Sequence, residues 1–161
     1  MIVIVMGVVG AGKTTVGQML ARQQGWDFAD ADDFHSRENV EKIRNGVPLT
    51  DADRQPWLES LRTQILQWIT QRRSAVLACS ALKRKYRDEL QVGPDVRFVY
   101  LQGTAKQIAE RLHARKGHFA NEQILVSQFA DLEEPKDAIT VSISRAPEEI
   151  VAEVRQKLGV A

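Results

Sequence analysis

Five apolar residues, Ile2-Val3-Ile4-Val5-Met6, run straight into Gly7-Val8-Val9-Gly10-Ala11-Gly12-Lys13-Thr14 and then into a helical apolar pattern at Val16, Met19 and Leu20. That order constrains the fold more than any other feature, because it demands a buried strand whose carboxyl end turns directly onto a helix N-terminus. The loop fits G-x-x-x-x-G-K-[ST]. Its glycines allow a turn tight enough to aim successive N–H groups into one concavity, and the helix behind them adds the positive end of its dipole. Lys13 is placed to reach β- and γ-phosphates, and the Thr14 hydroxyl to meet a nucleotide-borne Mg²⁺. Gly7, Gly10, Ala11, Gly12, Lys13, Thr14 and Thr15 are accordingly the candidate contacts of ATP or GTP.

A chain of 161 residues suits one domain over 1–161, large enough to bury about two thirds of its unfolded surface without metal or disulfide. The 22 Lys and Arg balance 21 Asp and Glu, so no overall field draws the chain to nucleic acid or an anionic membrane. Residues 2–6 are too few to span a bilayer and lack a basic leader or cleavage pattern, which makes them a strand rather than a signal peptide. The single cysteine, Cys79, suits a reducing cytoplasm and is read as a packed thiol.

Short apolar runs at 2–6, 26–29, 75–79, 96–101 and 138–143 alternate with amphipathic stretches, the signature of an α/β fold. Leu58, Leu61, Ile65, Trp68 and Ile69 recur at helical spacing, with Pro56 near that helix's start. Thr104 is expected to cap a helix reaching Arg115, Asn121 another carrying Ile124, Leu125, Phe129 and Leu132, and Pro147 opens the last. The economical architecture is a single-domain, three-layer sandwich: one five-stranded parallel sheet with helices on both faces, ligands gathering at the strands' carboxyl ends.

Beyond the second strand, Asp30-Ala31-Asp32-Asp33-Phe34-His35 places ionisable groups on that edge. In an extended segment Asp30 and Asp32 project to the same side, one serving the metal through water and the other an acceptor hydroxyl. Asp33 is read instead as a cap for a helix starting near Arg37. The third strand lacks the terminal aspartate of a usual second metal motif, so either Asp30 or Asp32 substitutes, or Thr14, phosphates and water hold the metal alone. Arg54, Lys83 and Arg87 recur near the same edge and suit an anionic acceptor. Arg111 and Arg115 lie four apart before Gly117 and read as lid residues that bring positive charge to a transferring phosphoryl group. His35 can hydrogen-bond a polyol, His118 is open to either a site or a surface role, and the three histidines form no defensible zinc spacing. Trp57 and Trp68 fit the apolar stripe of the long helix and are read as core.

Several motifs together resemble the bacterial-type gluconokinases: the phosphate loop, Asp30-x-Asp32-x-x-His35, Asn39-x-x-Lys42, and Gly46-x-Pro48-Leu49-x-Asp51-x-Asp53-Arg54-x-Pro56-Trp57-Leu58. To these add Cys79-Ser80-Ala81-Leu82-Lys83 with Tyr86-Arg87-Asp88, Arg115-x-x-His118-Phe119 and Ser127-Gln128. The resemblance covers nearly the whole chain. It implies ATP- and Mg²⁺-dependent phosphorylation of the terminal hydroxyl of D-gluconate on a nucleoside-monophosphate-kinase-like fold, with an acceptor region at about 30–90, a helical lid at about 111–135, and a homodimer. Similarity to shikimate kinases further implies Asp30 in the metal shell, Asp32 at the acceptor, Arg111 against the adenine and Arg115 near the phosphates, with Lys13, Asp32 and Arg115 carrying the chemistry. Ser36 departs from the proline usual after the histidine, and Ile43 from a common methionine. Rival readings are a kinase for another hydroxy acid such as shikimate, and a non-catalytic nucleotide-binding module.

Overall fold

A computed structural model describes residues 1–114 and 121–161. The strands are β1 (Ile2–Met6), β2 (Asp27–Asp30), β3 (Ala75–Ala78), β4 (Val96–Gln102) and β5 (Ile139–Ser142). They form one sheet in the order β2-β3-β1-β4-β5, every pairing parallel. The helices are α1 (Lys13–Gln24), α2 (Arg37–Arg44), α3 (Asp51–Thr70), α4 (Arg84–Leu90), α5 (Ala105–Ala114), α6 (Asn121–Asp131) and α7 (Pro147–Leu158). No described helix is long and apolar enough to cross a membrane.

β1 is central and buried at all five residues, which is why it reads as an unbroken apolar run rather than an alternating one. Its period of two divides it between two cores. Val3 and Val5 enter one with Val16 and Leu20 of α1, Ile108 of α5, and Ile150 and Val154 of α7. Ile2, Ile4 and Met6 enter the other with Leu58, Leu61 and Ile65 of α3 and Leu90 of α4. The expected three-layer sandwich is the observed one.

Boundaries differ from the sequence expectation where backbone groups find a partner that periodicity does not show. β2 starts at Asp27, not Trp26, because Gly25 ends α1 in the left-handed conformation and the Trp26 N–H closes that end on the Ala21 carbonyl. The long helix α3 begins at Asp51 under a capping box in which Thr50 and Asp53 exchange side-chain and backbone hydrogen bonds. Pro56 therefore lies inside it, in the second turn. Helix α2 is capped by Ser36, whose hydroxyl accepts from the Asn39 N–H at 3.2 Å, and not by Asp33. The serine that departs from the family's proline thus has a local role. Thr104 caps α5 as expected, exchanging hydrogen bonds with Gln107, and Pro147 opens α7.

Candidate active site

The carboxyl ends of the strands converge on the loop after β1. Gly10 stands at φ 80°, and a Cβ there would lie 3.1 Å from Leu112 and 3.3 Å from Ile108, so α5 packs on a loop that only glycine lets it approach. Gly12, at φ 95°, is the N-cap of α1. It offers no side-chain cap, and the first turn of α1 holds no acid. The amides of that turn are left for an external anion, with the helix dipole behind them.

Lys13 Nζ donates to the Val8 carbonyl at 3.0 Å. Burial pushes its ammonium below the ordinary lysine value, with Asp32 the strongest opposing influence. The Thr14 hydroxyl donates to Asp30 Oδ2 at 2.9 Å, while Asp30 Oδ1 accepts from the Asp32 N–H at 3.0 Å. A hydroxyl and a carboxylate in contact form an all-oxygen edge of the kind a hard, partly hydrated divalent cation takes. Two oxygen donors alone fit an ion that keeps water and brings phosphates as its further ligands.

Asp30 and Asp32 do not share an extended strand as the sequence suggested. Asp30 ends β2 and caps a 3-10 turn, Ala31–Phe34, that contains Asp32. The turn still keeps the two carboxylates close. Burial first, then the neighbouring Asp30 charge, raise the proton affinity of Asp32, against the pull of Lys13. The Trp57 indole donates to the Ala31 carbonyl at 2.7 Å and stacks on His35 with centroids 4.5 Å apart. Reading Trp57 as core was right about its burial but missed that it fixes this turn. Burial, then Arg54, lower the affinity of His35 for a proton, which favours the neutral ring.

In α4, Tyr86 gathers cations. Arg54 donates to its hydroxyl at 2.9 Å, and the Arg54, Lys83 and Lys85 charges stand 5.5, 5.9 and 5.6 Å from its ring centroid. Asp51 accepts from both Lys85 and the Tyr86 hydroxyl, which hold its carboxyl down at about 2. Tyr86 and Asp51 were missed as site residues. Their only trace in the sequence is membership of the two longest resembling motifs.

Arg87 departs from its expected place at the acceptor. It is only 8% exposed, and its guanidinium donates to the carbonyls of Ala81, Leu82 and Glu133 at 2.8, 3.0 and 2.8 Å. Ala81 stands at φ 46°, a conformation unfavourable for alanine. Arg87 thus acts as a clamp that holds the Lys83-bearing loop in a strained shape. Arg87→Met should lower unfolding free energy by about 3 kcal/mol, since it strips three carbonyls of a charged donor. Urea denaturation measures this; unchanged stability with a raised acceptor KM would return Arg87 to the acceptor site.

Arg111 donates from one nitrogen towards the Ala11 carbonyl at 3.5 Å and from another to the carbonyl of Ile143, bridging the phosphate loop and the end of β5. Arg115 and His118 lie outside the described residues. Cys79 is buried, and its thiol is pushed up to about 12, a packed group as read from the sequence.

The Shikimate kinase family profile matches residues 9–158. The chain is 44% identical over 156 residues to a protein of Gluconobacter oxydans named gluconokinase, covering 94% of this chain and 87% of that one. A probable gluconokinase of Rattus norvegicus is 44% identical over 179 residues, with 98% and 97% covered. Among solved structures, a gluconokinase from Sinorhizobium meliloti matches with a TM-score of 0.89 at 38% identity, covering 98% of this chain and 90% of the other.

Proposed function

The chain belongs to the gluconokinase family, and from that premise we propose that it transfers the γ-phosphoryl group of ATP to the terminal hydroxyl of D-gluconate, giving 6-phosphogluconate and ADP. The observation that carries the reading is the presence of two charge clusters in the segments that follow β2 and β3 and open α3. Asp30 and Asp32 flank the phosphate loop, while Arg54, Lys83 and Lys85 surround Tyr86. An acceptor that needs both a proton acceptor and an anion clamp is an acid that is also an alcohol. A phosphate acceptor, already ionised, needs no base and would be repelled by the carboxylates.

In this reading the uncapped amides at the N-terminus of α1, Lys13 to Thr15, with those of Gly10 and Gly12, seat the nucleotide, and Arg111 lies beside its base. Arg54 and Lys83 hold the gluconate carboxylate, and the His35 ring, kept neutral, faces its hydroxyls. Asp32 takes the proton of the terminal hydroxyl as that oxygen bonds to the γ-phosphorus and the bond to the β–γ bridging oxygen breaks. Lys13 offsets charge on the phosphoryl oxygens. Mg²⁺, held by Thr14 and Asp30 with the phosphates, would neutralise charge across the β- and γ-oxygens. By resemblance, Arg115 is placed near the phosphates, and His118 is assigned to the acceptor as a candidate contact. The same resemblance supports a homodimer, and balanced charge with one packed cysteine supports a cytoplasmic setting.

ADP release measured across D-gluconate, shikimate, other sugar acids and nucleoside monophosphates tests the reading. Gluconate should stand alone, with 6-phosphogluconate as product; turnover of another acid in its place would discard the named substrate. Lys83→Met should raise the gluconate KM about tenfold with kcat little changed, the loss of one charge-assisted contact made equally in ground and transition states. A fall in kcat at constant KM would move Lys83 to the phosphoryl side.

A further inference from the structure

One peptide group of the phosphate loop is held at both ends. The Val8 carbonyl accepts from Lys13 Nζ at 3.0 Å and from the Ala11 N–H at 3.1 Å, and the N–H of the same peptide, that of Val9, donates to Gln128 Oε1 at 2.6 Å. In a trans peptide these two groups point in opposite directions. A side chain that fixes the N–H therefore fixes where the carbonyl faces, and the lysine charge polarises the unit so that each contact strengthens the other.

Gln128 sits on α6, 119 residues from Val9 in sequence. The segment after α6 is anchored in turn to the Lys83-bearing loop: the Glu133 N–H donates to the Leu82 carbonyl at 2.9 Å, and Arg87 donates to the Glu133 carbonyl. Gln128 is thus half-buried on a braced helix, facing the loop rather than solvent. Lys13 is the group that reaches β- and γ-phosphates, whereas the amides at the N-terminus of α1 serve the phosphates further in. The Val8–Val9 peptide, in contact with the Lys13 ammonium, belongs to the γ-end of the seat.

We infer that Gln128 is a positioning residue for phosphoryl transfer, setting through the Val8–Val9 peptide the place at which the Lys13 ammonium is held. The inference rests on the nucleotide seat proposed above. Gln128 need not touch the acceptor. Its contribution falls on the γ-phosphoryl group and leaves a diphosphate almost unaffected.

Gln128→Met tests this, because methionine keeps the length and helix propensity of glutamine but offers only a weak thioether acceptor in place of the amide oxygen. Calorimetry should show the Kd of a non-hydrolysable ATP analogue rising about tenfold, the effect of one net hydrogen bond, while that of ADP stays within about twofold. With gluconate, the KM for ATP should rise by a similar factor while kcat and the gluconate KM stay little changed. Equal losses for ADP and the analogue would show that Gln128 only shapes the loop and would overturn the proposal. So would no change in either. A rise confined to the gluconate KM would overturn it in favour of an acceptor contact. Wild-type protein that bound neither nucleotide would instead sink the nucleotide seat itself.

Discussion

Asp32→Asn is expected to lower kcat with gluconate by about a thousandfold, within the range that a positioned general base contributes, while leaving MgATP affinity within about twofold. The substitution removes the proton acceptor but keeps size and polarity inside the 3-10 turn. Its effect should also depend on pH. Burial and the Asp30 charge raise the proton affinity of Asp32, so kcat/KM of the wild type should fall on acidification through a limb lying above the usual aspartate range. The variant should lack that limb. Wild-type turnover in Asp32→Asn would refute the base assignment.

The same shift has a stability consequence of opposite sign. A carboxylate whose folded affinity for a proton is raised contributes fully below its unfolded pKa, and that contribution is lost as pH rises through the folded value. At neutral pH the ionised Asp32 is therefore a cost to the fold. Asp32→Asn should raise Tm at pH 7, and the gain should vanish below the ordinary aspartate pKa. A variant that is less active yet more stable would mark Asp32 as a group held for chemistry rather than for the fold.

Lys13→Ala should have a comparable effect on kcat, on the order of a thousandfold, because it withdraws a preorganised positive charge from the transferring phosphoryl group. It should differ from Asp32→Asn in binding. In the nucleotide seat we propose, Lys13 is a direct contact, and its ammonium rests on the Val8 carbonyl, so ATP affinity should fall along with kcat. Titration calorimetry separates the two variants: unchanged ATP affinity in Lys13→Ala would remove the lysine from the ground-state complex. Lys13→Arg should also lose activity, since arginine's planar fork does not replace a compact ammonium on the Val8 carbonyl.

Some of the site was legible without coordinates because its signals are local. The phosphate loop announces itself through glycines, a lysine and a threonine at fixed spacing, and a strand before them. Asp30 and Asp32 were legible as a pair beyond a strand, although not as parts of a 3-10 turn. That geometry depends on Trp57 pinning the Ala31 carbonyl from α3, a contact no periodicity reveals. Arg87 was misplaced for the same reason. A basic residue near the binding edge is compatible with solvent, substrate or a buried clamp, and three carbonyls brought together by folding selected the clamp.

The sequence by itself determined the alternation of strands and helices, the parallel sheet, the glycine-rich turn from β1 into α1 and the family, because each rests on spacing along the chain or on long resembling motifs. Only the tertiary structure decided which polar groups meet. Thr14 meets Asp30, Tyr86 joins Asp51 to Arg54, and Gln128 reaches Val9 across most of the chain. A partner for a polar group is chosen by burial and distance after the helices have packed, and neither quantity is written in the local pattern that builds the helices.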